Sequence, residues 1–350
     1  ERTRPLKLSA LEQIPLFVGH DVTQTLDETV TLAQKLEEIG FHRFWLAEHH
    51  NTDHFLSSAP DLLMARIATA TQSIRLGSGG VMVMHYGSLQ MAERFSTLTA
   101  FFGDRIDMGL GRAPGGDMLS AHALNQGQVI RPEAINSLIA ETVGFVRETL
   151  PPKHPYAKVV VTPAGQIQPQ TWLLGSSGQS AAWAGEQGMD YAYAQFFTGR
   201  QDTGIMDHYR AHLSDGFPGR TLSAVCVSAA PTRQEALEQS LMAANFRVSL
   251  GTGRPVTFVT ASQMDAETRS LLTSCPIERG HDFRWGLRRG GRQTHRLPGC
   301  SPRRRVDAHQ LHRQRADQSG AVPSARKAAD LTVGVSGGCG PSTVVALRSV

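Results

Sequence analysis

Residues 105–115 read RIDMGLGRAPG, and this stretch carries the clearest pattern for secondary structure in the sequence. Its first part, Arg105–Gly111, is a largely apolar run, which is typical of a β-strand that is covered on both faces. Its second part, Arg112–Gly115, places an arginine, a proline and a glycine directly after the strand, where a loop is expected. The stretch therefore predicts a buried strand that ends in a glycine-rich loop.

Similar apolar runs lie on both sides of this strand. The first four begin 31–37 residues apart, which is the period of a strand, a crossover helix and a parallel return strand. Right-handed crossovers between such strands predict a (β/α) barrel or a doubly wound sheet. The first crossover helix is expected to start at the capping box Thr25–Glu28. The predicted strands are Leu6–Ile14, Arg43–Ala47, Ile74–Met84, Arg105–Gly111, Thr171–Gly175, Asp190–Gln195 and Leu222–Ala229.

Between Arg112 and Thr171 this rhythm is interrupted. The stretch contains the glycine-rich loop, a predicted helix near Pro132–Leu150 and a proline-rich turn. In a barrel it is an insertion after strand 4, at the face where loops follow the strands and active sites are built.

Polar residues follow the second predicted strand, with Glu48, His49 and His50 in sequence. Neighbouring strand residues point to opposite faces, so the two histidines are poorly placed to bind one metal ion together. We therefore predict no metal site here. A catalytic or substrate-contacting His49 and a solvated loop histidine are the two interpretations that remain.

Two further motifs lie at the ends of strands. Glycines at 77, 79 and 80 indicate either a close approach of the backbone to a flat ligand or a bend of the barrel. Arg112 and the segment Ser176–Ser180 follow consecutive core strands, and together they predict a site for one phosphate group. The alternatives are a surface arginine and ordinary helix N-caps.

Taken in order, these motifs resemble the bacterial luciferase-like flavin-dependent monooxygenases, particularly the single-chain FMN-type members. The resemblance covers about residues 6–270, and its most specific part is the sequence 105–115. It implies an α/β fold, a (β/α)₈ TIM barrel, that uses reduced FMN and O₂ to oxygenate a small organic substrate. Because Gly111 precedes the arginine, where the luciferases proper have a reactive-pocket cysteine, light emission is not implied.

The resemblance also assigns roles to individual residues. His49 corresponds to the catalytic histidine, with Glu48 beside it in the site. Gly79 and Gly80 correspond to a bulge, often with a non-prolyl cis peptide, against the flavin ring. The FMN phosphate ligands correspond to Arg112, Ser176, Ser177 and Ser180. Candidate pocket-lining residues are Phe55, Met82, Met84, His85 and Tyr86.

The resemblance further implies a homodimer and a flavin reductase that supplies the reduced cofactor. Two other functions are compatible with the same barrel. One is a hydride-transfer oxidoreductase that uses a deazaflavin, and the other is an inactive flavin-binding protein. The substrate itself is not encoded in any of these motifs.

The charge is unevenly distributed. Residues 1–270 contain 21 Lys+Arg and 26 Asp+Glu, whereas residues 271–350 contain 14 and 5. The last eighty residues are rich in arginine and glycine and contain no pattern for the eighth strand. We predict a barrel over residues 1–270 and a tail over 271–350, with a doubtful or missing eighth βα unit. Translation out of frame is favoured for the tail over a disordered basic tail or a divergent folded end.

Because the basic charge belongs to the tail, which has only two aromatic residues for base stacking, we expect no nucleic-acid partner. Neither a signal peptide nor a run of about 20 apolar residues is recognisable, so we expect no membrane partner. The four cysteines do not form a disulfide framework. A cytoplasmic location is therefore expected.

Overall fold

The computed structural model describes residues 7–165, 167–198, 202–252, 258–274, 283–285 and 345–349. All seven predicted strands are present, and they run parallel in one sheet that curves into a barrel. The third is divided by a bulge into two shorter strands. The strands are β1 (Leu8–Glu12), β2 (Arg43–Leu46), β3 (Arg75–Ser78), β4 (Val81–Met82), β5 (Ile106–Gly111), β6 (Gln170–Gly175), β7 (Asp190–Tyr193), β8 (Thr221–Ala229), β9 (Phe283–Trp285) and β10 (Val345–Ser349).

The helices follow the strands as the period predicts. They are α1 (Val22–Glu38), α2 (Pro60–Ala68), α3 (Ser88–Phe102), α4 (Met118–Leu124), α5 (Ile135–Arg147), α6 (Gly178–Glu186), α7 (Gln195–Thr198), α8 (Thr203–Ala211), α9 (Arg233–Thr252) and α10 (Ala266–Ser274). The predicted start of α1 at Thr25 is wrong. Asp21 caps the helix by accepting a hydrogen bond from the Gln24 amide, so Thr25 lies within the first turn.

Along the sheet, β1, β2, β3, β5, β6, β7 and β8 each pair with the next in parallel. The position of an eighth strand is occupied by β10, which pairs antiparallel with both β1 and β8. The edges of β1 and β8 are therefore covered by a segment from the end of the chain.

The chain forms two compact units. One comprises residues 1–226 and 342–350, and the other comprises residues 227–341. In the second unit, the last three residues of β8 pair in parallel with β9, and α9 contacts α10. The boundary expected at residue 270 stays a prediction, and most of the proposed tail lies outside the described residues.

The barrel interior is filled by large side chains that face glycines. Trp45 of β2 and Trp172 of β6 meet edge to face, with ring centroids 5.4 Å apart. A Cβ atom on Gly77 would lie 2.5 Å from the indole nitrogen of Trp45. A second, larger core packs between the outer face of the sheet and the helices.

A charged cluster lies at the amino-terminal ends of the strands. The Asp107 carboxylate is fully buried and accepts hydrogen bonds from Arg43 Nε at 2.8 Å, from Arg75 Nη2 at 2.7 Å and from Trp45 Nε1 at 3.0 Å. These ends face away from the loops that follow the strands, so the cluster contributes to the framework of the barrel.

Glu12 ends β1 with its side chain buried, and the Ile14 amide donates to its carboxylate at 2.6 Å. Burial raises the pKa of Glu12 from 4.5 to about 7. The folded protein therefore holds this proton up to higher pH than the unfolded chain does. Lowering the pH from about 7 to 4.5 therefore stabilises the folded protein, and ionisation of Glu12 above about pH 7 destabilises it.

We expect Glu12→Gln to increase the free energy of unfolding by about 3 kcal/mol at about pH 8.5, because the amide has no charge to bury. At about pH 5 the gain should largely disappear, since the wild-type carboxyl is then protonated. Denaturant unfolding at both pH values measures the difference, with exposed Glu38→Gln as the control. An equal increase in the free energy of unfolding at both pH values would contradict the raised pKa of Glu12.

Among the described residues, no helix is both long enough and apolar enough to cross a bilayer.

Candidate functional site

The predicted site residues lie at the carboxyl-terminal ends of neighbouring strands. Glu48 and His49 follow β2, Gly79 and Gly80 separate β3 from β4, and Arg112 follows β5. The serines at 176, 177 and 180 lie between β6 and the first turn of α6. One face of the barrel therefore carries all the residues that the sequence selects.

His49 lies against an aromatic ring. Its imidazole stacks on Phe55, with ring centroids 4.5 Å apart and planes 23° apart, and its amide donates to Ser57 O at 2.8 Å. The Nδ1 atom is buried and has no hydrogen-bond partner in the part of the chain that is described. Burial, together with the charge of His50, lowers the pKa of His49 to about 4. At neutral pH the ring is therefore uncharged, and its Nδ1 atom is available to form a hydrogen bond with a ligand.

Glu48 has its contacts with the residues around it rather than with His49 in the described part of the chain. Its buried carboxylate accepts hydrogen bonds from His50 Nε2 at 2.8 Å, the Tyr86 hydroxyl at 3.0 Å and the Met82 amide at 3.0 Å. Burial, and then the charge of Glu48, raise the pKa of Tyr86, so its hydroxyl keeps the proton that it donates. Glu48 therefore joins β2 to the turn after β4.

The peptide between Gly79 and Gly80 is cis, and these residues form the bulge between β3 and β4. A Cβ atom on Gly80 would lie 2.9 Å from Gly109 O, and one on Gly79 would overlap Leu11. Both glycines therefore allow neighbouring strands to approach each other closely. The bulge that the sequence suggested is present.

Arg112 is a half-buried cation at the end of β5. Its guanidinium has no ion-pair or hydrogen-bond partner within the described part of the chain. Its charge lies close enough to Tyr191 to oppose the rise in the tyrosine pKa that burial causes. An unpaired, partly desolvated guanidinium favours an anionic ligand.

Tyr191 also connects this arginine to α6. Its hydroxyl lies 3.0 Å from Ser180 Oγ and donates to Ser177 O at 3.2 Å. Ser177 is the N-cap of α6 and forms a capping box with Ser180, so these two serines do cap the helix, and the phosphate-site interpretation stays a prediction. The side chain of Ser180 is buried beneath the helix start, whereas Ser176 and Ser177 face outward. Tyr191 therefore lies within electrostatic reach of Arg112 and within hydrogen-bond distance of the start of α6.

An open cleft of about 520 Å³ lies in front of the start of α6. Its residues include Ser176, Ser177 and the helical amide groups that follow them, with Asp202 and His208 contributed by the start and middle of α8. The amino-terminal end of a helix attracts anions through its free N–H groups and its dipole. The helix start is therefore the part of this cleft that favours an anion, whereas the Asp202 carboxylate opposes one.

The five candidate pocket residues have different environments. Phe55 stacks on the imidazole of His49. The Met82 amide and the Tyr86 hydroxyl donate hydrogen bonds to Glu48. His85 contacts the loop after β5, and Met84 packs against the outer core. The sequence did not indicate Tyr191 or Asn125, because neither belongs to a motif. Their hydrogen bonds in the folded chain identify them.

A family model described as luciferase-like monooxygenase matches residues 9–334. The chain belongs to the luciferase-like monooxygenase family. This confirms the family resemblance, and the match continues past residue 270. The N-acetyl-S-alkylcysteine monooxygenase of Bacillus subtilis (strain 168) is 38% identical to this family member over 266 residues, which cover 75% of this chain and 79% of the relative.

Solved structures share the fold of this luciferase-like monooxygenase. Apo-MsnO8 has a TM-score of 0.68 and 32% identity, covering 77% of this chain and 79% of its own. The oxygenating constituent of 3,6-diketocamphane monooxygenase from Pseudomonas putida, solved with FMN, has a TM-score of 0.52 and 17% identity, covering 77% and 83%. An F420-dependent secondary alcohol dehydrogenase has a TM-score of 0.56 and 14% identity, covering 80% and 85%. The last two show the shared barrel alone.

Within the described residues, no group of three or more His, Cys, Asp or Glu side chains is arranged to hold a metal ion.

Proposed function

We propose that this luciferase-like monooxygenase binds reduced FMN and uses O₂ to oxygenate a small organic substrate. The observation that carries the proposal is Arg112, a cation without an ion-pair partner among the described residues, whose charge acts on Tyr191 beside the amino-terminal end of α6. A phosphate monoester is the ligand that this combination of a guanidinium and a helix start recognises best.

The residues present fit FMN in three respects. Arg112, Ser176 and Ser177 would hold the phosphate, with Ser180 acting through the cap that it forms with Ser177. The backbone at Gly79 and Gly80 would lie along the flavin ring. His49 has a buried ring nitrogen without a partner in the described structure, as a group that contacts a ligand would have. When bound, reduced FMN supplies the two electrons that activate O₂.

The side chains of His49, Phe55 and Glu48 would provide the hydrogen bonding, the orientation and the exclusion of water at the site. Because burial lowers the pKa of His49 to about 4, the imidazole is neutral and can accept or donate one hydrogen bond at the reacting centre. Phe55 fixes the plane of this ring and excludes water from one of its faces. Glu48 acts indirectly, by holding His50 and the turn after β4 in place.

The Bacillus relative provides the first compound to test as a substrate. Its name specifies an N-acetyl-S-alkylcysteine, and we propose this thioether class as the starting point for assays. We also propose that a separate flavin reductase supplies the reduced cofactor and that the protein is a homodimer. Size-exclusion chromatography with light scattering tests the homodimer directly.

Replacing Arg112 by alanine tests the phosphate site. We expect Arg112→Ala to weaken FMN binding by about 10- to 100-fold, because a charge-assisted pair contributes about 1.5–3 kcal/mol. The affinity for riboflavin, which has no phosphate, should change by less than about twofold. Quenching of flavin fluorescence measures both affinities.

Arg131→Ala removes an exposed arginine from the same insertion and serves as the matched control. Equal losses of FMN and riboflavin affinity in Arg112→Ala would contradict the phosphate assignment. Tight binding of a deazaflavin, with no binding of FMN, would replace the proposal by a hydride-transfer function on the same barrel.

A further inference from the structure

His85 ends the turn that follows β4, and its ring bridges two separate points of the chain. Its Nε2 atom lies 2.7 Å from Pro114 O, and its Nδ1 atom lies 2.9 Å from Nδ2 of the Asn125 side chain. A carbonyl oxygen only accepts, so Nε2 donates to Pro114. The side-chain amide of Asn125 also donates one hydrogen to Ala121 O at 2.8 Å, so its second hydrogen is donated to Nδ1 of His85. Both contacts are therefore satisfied by a single neutral tautomer.

These contacts hold the two ends of one segment. Residue 114 lies in the loop after β5, and Asn125 is the C-cap of α4. Between them, Gly115 O accepts from the His50 amide at 2.8 Å. Gly115 has a φ of 65°, and its Cβ would lie 2.9 Å from Glu48 O. Segment 114–125 is thus tied to the end of β2 and to the turn after β4.

Arg112 lies two residues before this segment. Its guanidinium has no partner of its own in the described structure, so its direction depends on the backbone that carries it. Fixing a backbone in advance reduces the conformational entropy that a ligand-binding side chain loses on binding. The contacts of His85 provide such a restraint at Pro114.

We propose that His85 is a positioning residue for the phosphate-binding arginine. By joining Pro114 to Asn125, it keeps segment 114–125, and with it the backbone that carries Arg112, in one arrangement. The inference rests on the proposed FMN site, because it assigns His85 to the recognition of the phosphate. His85 itself has no contact with the serines of that site in the described structure.

Two substitutions separate this role from simple packing. The His85 ring also lies edge to face with His50, at a centroid distance of 5.5 Å. His85→Phe keeps an aromatic ring but removes both hydrogen bonds. His85→Gln places an amide donor and an acceptor on a side chain of similar reach, so it should restore part of the function.

The experiment compares the wild type with both variants by hydrogen exchange and by flavin binding. In His85→Phe, we expect faster exchange over residues 112–125 and a loss of about tenfold in the preference for FMN over riboflavin. Riboflavin affinity itself should stay within about twofold of the wild type. His85→Gln should recover exchange protection and the preference for FMN.

Unchanged exchange over residues 112–125 in His85→Phe would overturn the inference, as would equal losses of FMN and riboflavin affinity. If the wild type prefers FMN and His85→Phe keeps that preference, the inference fails and the proposed function stands. If the wild type binds FMN and riboflavin equally, the phosphate site itself is refuted and the inference falls with it.

Discussion

Replacing His49 by alanine is expected to lower the rate of substrate oxygenation by about 100- to 10,000-fold, the usual contribution of a positioned acid–base group. The imidazole stacks on Phe55, and its buried Nδ1 has no partner in the described structure, so its loss should not remove an internal hydrogen bond. The assay supplies reduced FMN through a flavin reductase and NADH, and follows the addition of one oxygen atom to an N-acetyl-S-alkylcysteine.

His154→Ala is the matched control, because it removes a partly exposed imidazole whose only ion pair is with Glu141, at 3.3 Å, among the described residues. We expect this variant to keep its rate within about twofold. FMN binding by His49→Ala, measured separately, shows whether the site is intact. Unchanged oxygenation in His49→Ala would show that His49 does not act on the reacting atoms.

Replacing Asp107 by asparagine is expected to destabilise the barrel by about 3–5 kcal/mol, because it leaves the buried guanidinium groups of Arg43 and Arg75 without a counter-charge. The asparagine has nearly the same volume, so the effect reports charge rather than packing. Denaturant unfolding measures it as a lower midpoint.

Asp207→Asn removes an aspartate from an exposed ion pair with Arg210, at 3.0 Å on the surface of α8. Exposed pairs contribute about 0–1 kcal/mol, so the midpoint should hardly move. If both variants lowered the midpoint equally, the buried cluster would have no special part in holding the strands together.

The barrel could be predicted because its strands are short, buried and regularly spaced. A strand such as β5, covered on both faces, appears in the sequence as a continuous apolar run, and the helices between strands fix the period. The strand β10 could not be predicted in the same way. The five residues of β10 include Arg348 and Ser349, so they do not form a continuous apolar run, and β10 lies far from both β1 and β8 in the sequence.

The start of α1 shows a limit of local motifs. A Thr-x-x-Glu pattern also occurs inside helices, where the threonine hydroxyl can bond to the previous turn. Thr25 does this by donating to Asp21 O at 2.9 Å. At Thr232 the same pattern does mark a helix start, because its hydroxyl and amide both bond to Glu235.

For the candidate site, the sequence selected residues by their position but could not predict their partners. Position at the end of β2 identified Glu48 and His49, because loops at that end of a barrel carry function. Two of the three donors to Glu48 come from Met82 and Tyr86, more than thirty residues later in the chain. Such contacts depend on how the strands are aligned, which no local pattern records.

The edge-to-face pair of Trp45 and Trp172 has a consequence for access. With Arg43 lying 5.0 Å from the Trp172 ring and bound to Asp107, the barrel axis is blocked by side chains from its amino-terminal end. Among the described residues, these side chains form a floor beneath the carboxyl-terminal ends of the strands, where the candidate site lies.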